Sequence, residues 1–202
     1  LIKKGLIIEA EEESTLSSPL RVRGPLPELT IEQTTALTQV DTLQAGTTLL
    51  QGVTGSGKTE LYLRWMADCL SKDRQVLVLV PEIALTPQTI ARFKARFEAS
   101  IVVFHSGLTD QQRLQAWHDC SAGRAHIAIG TRSALFVPMR RPGLIVIDEE
   151  HDSSFKQQDG FRYSARDLAV VRAQIEGIPL ILGSSTTSLE SYHKALSGKN
   201  QH

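Results

Sequence analysis

The sequence predicts an α/β fold, a mostly parallel sheet with helices on both faces. Three observations carry that prediction. Short apolar runs of four or five residues alternate with helix-forming stretches along most of the 202 residues. These runs show no in–out alternation, as expected of strands buried on both faces. The loop after the first of them reads Gly52-Val53-Thr54-Gly55-Ser56-Gly57-Lys58-Thr59, a full match to G-x-x-x-x-G-K-[ST] between a strand and a helix.

The elements follow in order. Leu1 to Ile8 is apolar with two lysines, a short strand or helix end. Glu9 to Pro27 is a polar linker with three consecutive glutamates and three prolines. Thr30 and Gln33 have capping-box spacing and open a helix running to about Leu43, stopped at Gly46. Thr47 to Gln51 reads as a strand and Lys58 to Leu70 as a helix. Val76 to Val80 is a buried strand ended by Pro81. Thr86 and Pro87 supply an N-cap and first-turn proline for a helix carrying Phe93 and Phe97 on one face. Ile101 to Phe104 is a strand, and Thr109 with Gln112 caps a helix toward Gly123. Ile127 to Gly130 and Leu144 to Ile147 are further strands. Ser164 with Asp167 opens a helix ending near Gly177 and Pro179. Leu180 to Leu182 is a strand, and Thr187 with Glu190 opens a last helix.

At about 150 residues per domain, the length implies one full domain with a stub. Apolar residues at 41% and charged residues at 22% exclude wholesale disorder. The clean apolar runs fall far short of the ~18 residues of a membrane span. Lys and Arg number 22, as do Asp and Glu, so no global basic field marks a nucleic-acid binder. Cys69 and Cys120 lie far apart, which excludes a Cys-based zinc site and a disulfide scaffold and fits a reducing, cytoplasmic setting. The chain opens on Leu1 without a recognisable leader and is expected to be a piece of something longer.

In a parallel sheet, ligands bind outside the carboxyl ends of the strands. Glycines Gly52, Gly55 and Gly57, with Thr54 and Ser56 between them, let backbone N–H groups fold inward around a phosphate chain. The following helix adds its positive N-terminal end. Lys58 reaches the β- and γ-phosphates and Thr59 ligates Mg²⁺, so ATP with Mg²⁺ is the expected cofactor pair. A metal and a water need a carboxylate site, which Asp148-Glu149-Glu150-His151 supplies after the apolar strand. Asp148 is the Mg²⁺ partner, usually through water, and Glu149 orients the attacking water. A solvated acidic turn is the plain alternative. Gln33, ahead of the phosphate loop, has an amide able to read an adenine edge, or is a surface residue of the capping box.

Several stretches then coincide with one family. Val80-Pro81-Glu82-Ile83-Ala84-Leu85-Thr86-Pro87-Gln88, His105-Ser106-Gly107-Leu108, Gly130-Thr131-Arg132-Ser133-Ala134-Leu135-Phe136 and the acidic box follow each other in order. Together they resemble the first RecA-like lobe of a superfamily 2 DNA helicase, and among these the primosomal replication-restart helicases. The resemblance covers Leu29 to about Ser191. It implies a RecA-like lobe over residues 29–202, with residues 1–28 as the tail of a winged-helix-like DNA-binding region and its linker.

The resemblance also implies roles. Gln33 matches an adenine-contacting glutamine. Thr86, Thr131 and Arg132 match positions facing single-stranded DNA, where their groups hold phosphates without reading bases. A helix N-cap for Thr86 and a structural ion pair for Arg132 are the alternatives. His151 is expected to hydrogen-bond toward the motor loops, and His105 to shape a turn. Gly183-Ser184-Ser185-Thr186-Thr187-Ser188 falls where the family usually has Gly-Ser-Ala-Thr-Pro-Ser, with Ser184 and Thr186 at coupling positions. Ser185 and Thr187 depart from that pattern, which puts the tightness of ATP–DNA coupling in doubt.

The polar loop Asp152 to Tyr163 carries Phe155, Phe161, Arg162 and Tyr163 and resembles the aromatic-rich loop of restart and RecQ-like helicases. Its rings stack on unpaired bases, with Arg162 adding charge, or else they pack under the sheet.

The implied whole is an ATP-dependent 3′–5′ DNA helicase for replication restart and primosome assembly at stalled forks. Its partners would be forked and single-stranded DNA, single-stranded DNA-binding protein and other primosome proteins, with no membrane. Zinc is expected only in a part of the full-length protein beyond this chain. A nucleotide-gated assembly module without motor activity is the second reading, and a P-loop kinase or small-molecule ATPase the third. Without an opposing lobe, the isolated chain is expected to lack robust ATPase or unwinding.

Overall fold

The computed structural model describes residues 22–24, 26–40 and 45–185. The opening segment 1–8, most of the linker, Thr186 and the helix expected from Thr187 lie outside the described residues.

Local capping sets the helices. The side chain of Thr30 accepts from the N–H of Gln33, whose own side chain accepts from the N–H of Thr30, and α1 (Ile31–Gln39) follows. It stops short of Leu43 because Val40 is already extended, a conformation that suits a β-branched residue. Strand β1 (Gly46–Gln51) leads through the phosphate loop into α2 (Lys58–Ser71). After β2 (Gln75–Leu79) and a 3₁₀ turn at Glu82–Ala84, Thr86 caps α3 (Pro87–Arg96) by accepting from the N–H of Thr89. Strand β3 (Ile101–Phe104) precedes α4 (Asp110–Ser121), opened by the Thr109–Gln112 capping box. His105 shapes the intervening turn, its Nδ1 accepting from the N–H of Gly107 at 3.1 Å. Strand β4 (Ile127–Gly130) ends in a 3₁₀ turn, Arg132–Phe136, and β5 (Pro142–Ile147) delivers the acidic box. The polar loop is folded into a 3₁₀ turn (Ser153–Phe155) and a small antiparallel hairpin of β6 (Lys156–Gln157) and β7 (Tyr163–Ser164). Ser164 then caps α5 (Ala165–Glu176), and β8 (Pro179–Ser184) completes the sheet.

The six long strands form one parallel sheet in the order β1-β8-β5-β2-β4-β3. One face is covered by α2 and α3. Leu61, Tyr62, Trp65, Met66 and Cys69 of α2, with Phe93 and Phe97, pack on Val76, Val78, Ile127 and Val146. The other face receives α4 and α5. Helix α5 lays down a stripe of Ala165, Ala169 and Ala173, whose small side chains at i, i+4 and i+8 let it approach the sheet closely. Buried Gln75 is fully used: its Nε2 donates to the carbonyls of Cys120 and Ala125, and its Oε1 accepts from the N–H of Arg141. Burial pushes the thiols of Cys69 and Cys120 up to about 12, so both behave as small core residues rather than reactive thiols.

The end of the linker is tied to the lobe. Arg23 donates its N–H to the carbonyl of Arg96 and pairs with Glu98 at 3.2 Å, and Arg64 donates to the carbonyl of Pro27.

Candidate nucleotide and nucleic-acid site

Strand order decides what meets at the carboxyl edge. Strand β8 lies between β1 and β5, with Gln51 opposite Ser184 and Ile147 opposite Leu182. The residues that follow these strands are therefore neighbours: the phosphate loop, then Ser184 and Ser185, then Asp148 and Glu149. Further along the edge come the ends of β2 and β4, which carry Thr86, Thr131 and Arg132.

The phosphate loop closes on itself through Ser56 N–H to the carbonyl of Val53 at 3.0 Å. Gly57 has φ 87°, a left-handed turn that favours glycine, and a Cβ there would lie 2.3 Å from Nε2 of Gln33 and push that amide aside. Gln33 donates from that Nε2 to the carbonyl of Ser56 at 2.8 Å. The capping-box glutamine thus also braces the phosphate loop. Lys58, at the start of α2, is buried with its ammonium folded into the loop. It donates to the carbonyls of Gly52 at 2.6 Å and Val53 at 3.4 Å and lies 3.8 Å from Oε1 of Glu149. Thr54 and Gly55 are exposed and Thr59 is half-buried on the first turn of α2.

Asp148 is held from below. Its Oδ1 accepts from the Tyr62 hydroxyl at 3.1 Å and from the N–H of Glu149 at 3.1 Å. Gly183 makes this possible, because a Cβ there would fall 1.5 Å from the Tyr62 oxygen. Burial raises the Asp148 pKa above its ordinary value, against the opposing Tyr62 hydrogen bond. Burial, then the Asp148 charge, raises that of Tyr62. Between its ordinary and its folded pKa, Asp148 keeps a proton in the folded chain that the unfolded chain has lost. Stability therefore falls as pH rises through that window, and the cost persists above it. Asp148→Asn removes the cost and keeps an acceptor for Tyr62. The variant is expected to melt at or above the wild-type temperature without nucleotide and, if Asp148 holds Mg²⁺ as the sequence predicts, to gain less than the parent from added Mg²⁺ and ATP. Thermal melting in both conditions checks this.

Glu149 stands at φ 49°, a left-handed conformation that costs a non-glycine residue free energy. Its Oε2 accepts from the N–H of Ser185 at 3.1 Å and from the Ser185 hydroxyl at 2.8 Å. His151 Nδ1 lies 2.8 Å from the Ser184 hydroxyl and 3.6 Å from Oε2 of Glu149. Glu150 turns the other way. Its side chain is fully buried, its N–H donates to the carbonyl of Gly183, and Oε2 accepts from Nη1 of Arg166 at 3.4 Å.

The sequence-predicted nucleotide residues Lys58, Asp148 and Glu149 are thus brought together with His151 and Ser184, and Gln33 reaches the loop from outside. Thr86 is exposed and acts as an N-cap. Arg132 makes no ion pair among the described residues; its Nη1 donates to the carbonyls of Ser154 at 3.1 Å and Lys156 at 3.2 Å, fastening the β4 turn to the aromatic loop. Phe155 corrects the expectation of a base-stacking ring. It is 1% exposed within the core, so it anchors the loop and has no face free for a base. Phe161 is exposed, whereas Tyr163 is half-buried and packs against the core, the two ring centroids lying 6.1 Å apart. A third ring, Phe136 from the β4 turn, meets Tyr163 edge-on at 5.2 Å. Sequence reasoning assigned no site role to Phe136, Tyr62, Ser185 or Glu150. Phe136 carried one available signal, an aromatic residue in a short turn directly after a strand end.

Among the described residues no group of three or more His, Cys, Asp and Glu is arranged to hold a metal. A Mg²⁺ ion would rest on Thr59 and Asp148 with the phosphates themselves, which suits a cation that keeps several waters. No described helix is long and apolar enough to cross a membrane.

Sheet, phosphate loop and acidic strand end define a RecA-like α/β lobe. The fold is shared with solved helicases. RecG bound to a three-way DNA junction superposes with a TM-score of 0.64 at 20% identity, over 90% of this chain and 25% of that one. The Pyrococcus furiosus Hef helicase domain gives 0.60 at 18% identity, over 85% and 36%. The chain belongs to the DEAD/DEAH box helicase family, whose model matches residues 30–195. Within it, the replication restart protein PriA of Haemophilus influenzae is 58% identical over 154 residues, covering 76% of this chain and 21% of that protein. That of Synechocystis is 51% identical over 197 residues, covering 96% and 24%. That of Bacillus subtilis is 42% identical over 206 residues, covering 98% and 26%. The chain therefore spans about a quarter of the length of these curated relatives.

Proposed function

We propose that this chain is the ATP-binding lobe of an ATP-dependent 3′–5′ DNA helicase that acts in replication restart and primosome assembly. The carrying observation is the strand-end array. Lys58, the Ser184–Ser185 pair and the Asp148–Glu149 pair stand side by side, while Arg132, two strands further along the edge, joins the β4 turn to the aromatic surface that exposes Phe136 and Phe161. In this reading residues 29–202 form the lobe and residues 1–28 end a DNA-binding region.

The chemistry follows from the chain's own groups. Lys58 leaves the Gly52 and Val53 carbonyls for the β- and γ-phosphates, and backbone N–H groups of Thr54 to Gly57 line the phosphate chain. Gln33 offers its amide to the adenine edge. Thr59 and Asp148 hold Mg²⁺, which when bound neutralises phosphate charge. Glu149 orients a water toward the γ-phosphate and accepts its proton. Thr86, Thr131 and Arg132, with Thr186 beyond the described residues, face the DNA phosphates. Phe136, Phe161 and Tyr163 take unpaired bases, with Arg162 beside them. Forked and single-stranded DNA are the substrates, with single-stranded DNA-binding protein and other primosome proteins as partners in the cytoplasm.

Stacking on an aromatic ring contributes about 1–3 kcal/mol per base. Phe161→Ala combined with Tyr163→Ala in the full-length protein is therefore expected to raise the DNA concentration for half-maximal ATPase stimulation at least about tenfold, with DNA-free hydrolysis unchanged. A DNA titration of ATPase activity checks this. Unaltered stimulation would remove the DNA role of the aromatic surface.

A further inference from the structure

We propose that Tyr62 is a positioning residue that sets which divalent cation the nucleotide site accepts: it leaves Asp148 one open oxygen and so favours Mg²⁺ over Ca²⁺. This rests on the reading of Asp148 as the Mg²⁺ carboxylate and concerns a residue to which that reading gives no role. Tyr62 lies four residues after Lys58 and therefore on the same face of α2. Lys58 serves the phosphate loop, while Tyr62 runs beneath the end of β5. Tyr62 is 2% exposed, and its hydroxyl donates to Oδ1 of Asp148 at 3.1 Å. It reaches that oxygen past Gly183 of β8, the strand that separates β1 from β5. A Cβ on Gly183 would lie 1.5 Å from the hydroxyl oxygen and 3.4 Å from Oδ1 of Asp148. Glycine at 183 is thus what gives the hydroxyl its place.

The count of acceptor sites carries the argument. A carboxylate offers two oxygens, each with room for about two bonds. Oδ1 of Asp148 has both places taken, by the Tyr62 hydroxyl and by the N–H of Glu149 at 3.1 Å. Oδ2 accepts no hydrogen bond among the described residues. A cation, or a water bound to it, therefore meets a single oxygen. That suits Mg²⁺, which keeps several of its waters and needs few carboxylate bonds. It handicaps Ca²⁺, which collects about six to eight oxygens and often takes a carboxylate through both of them. The neighbouring acids do not make up the difference. Glu149 is engaged by Ser185 and Lys58, and Glu150 is buried against Arg166.

Tyr62→Phe keeps the ring and removes the hydroxyl, which opens a second place on Oδ1. The affinity of the full-length protein for a non-hydrolysable ATP analogue is measured with Mg²⁺, with Ca²⁺ and with EDTA. In the wild type, Mg²⁺ should tighten the analogue more than Ca²⁺ does. In Tyr62→Phe that preference is expected to shrink roughly three- to tenfold, the scale of one hydrogen bond to a charged group, with the EDTA affinity within about twofold of wild type. Asp148→Asn alone should remove most of the preference, an expectation that does not depend on how Tyr62→Phe folds. Adding Tyr62→Phe to Asp148→Asn should then change it by less than about twofold, because the carboxylate is already gone. An unchanged preference in Tyr62→Phe or in Asp148→Asn would overturn the assignment. So would a loss shared equally by the Mg²⁺, Ca²⁺ and EDTA conditions, which would make Tyr62 a packing residue only. A wild-type protein whose affinity for the analogue neither cation improves would overturn the Mg²⁺ reading and this inference with it, and the wild-type arm alone reveals that case.

Discussion

Lys58→Ala is expected to lower ATP hydrolysis by the full-length protein at least about a hundredfold, the scale of losing one preorganised donor to developing charge. The side chain is committed by its surroundings. It emerges on the first helical residue after a glycine at φ 87° and is buried over the loop, with its ammonium against two loop carbonyls and 3.8 Å from Glu149. In the proposed function the ammonium exchanges these carbonyl oxygens for phosphate oxygens. Alanine removes the charge and also leaves Glu149 without its neighbouring cation. Nucleotide binding should weaken as well, so titration with a fluorescent ATP analogue should run beside the steady-state assay. Wild-type turnover in the variant would place hydrolysis elsewhere.

Arg166→Ala is expected to destabilise the lobe by about 3–5 kcal/mol, the usual cost of breaking a buried ion pair from one side. Glu150 has a fully buried side chain, and Arg166 is 9% exposed at the start of α5. Removing the guanidinium leaves a buried carboxylate without that partner, directly beneath the turn that aims Asp148 and Glu149. At roughly 2–4 °C per kcal/mol for a domain of this size, the melting temperature should drop by about 6–20 °C. Thermal unfolding followed by circular dichroism reads the shift. A shift under about 2 °C would show that the pair is not what fixes the acidic turn to α5.

How much of this was legible beforehand depends on the range of each interaction. The caps at Thr30, Thr86, Thr109 and Ser164 could be found because an N-cap and its partner lie three residues apart. The phosphate loop was equally visible, since its spacing is the geometry. The acidic box was placed correctly at the end of a buried strand. The strand order was not legible, because it depends on pairings over the whole chain. It is this order that sets Ser185 beside Glu149 and Tyr62 beneath Asp148, 36 and 86 residues apart. The aromatic loop shows the same limit. Phe155 and Phe161 are chemically identical in the sequence, yet the 3₁₀ turn drives one ring into the core while the hairpin leaves the other 79% exposed. Hidden structure also accounts for the third acid, which composition alone presents as one more surface charge.

The most direct measurement is ATP hydrolysis by the full-length protein with and without forked DNA, with this chain alone assayed in parallel. The strand-end array predicts that forked DNA strongly stimulates the full-length protein. The isolated lobe should bind nucleotide weakly and turn over little. Tight nucleotide binding with equal rates in the presence and absence of forked DNA would contradict a motor and leave a nucleotide-gated assembly module.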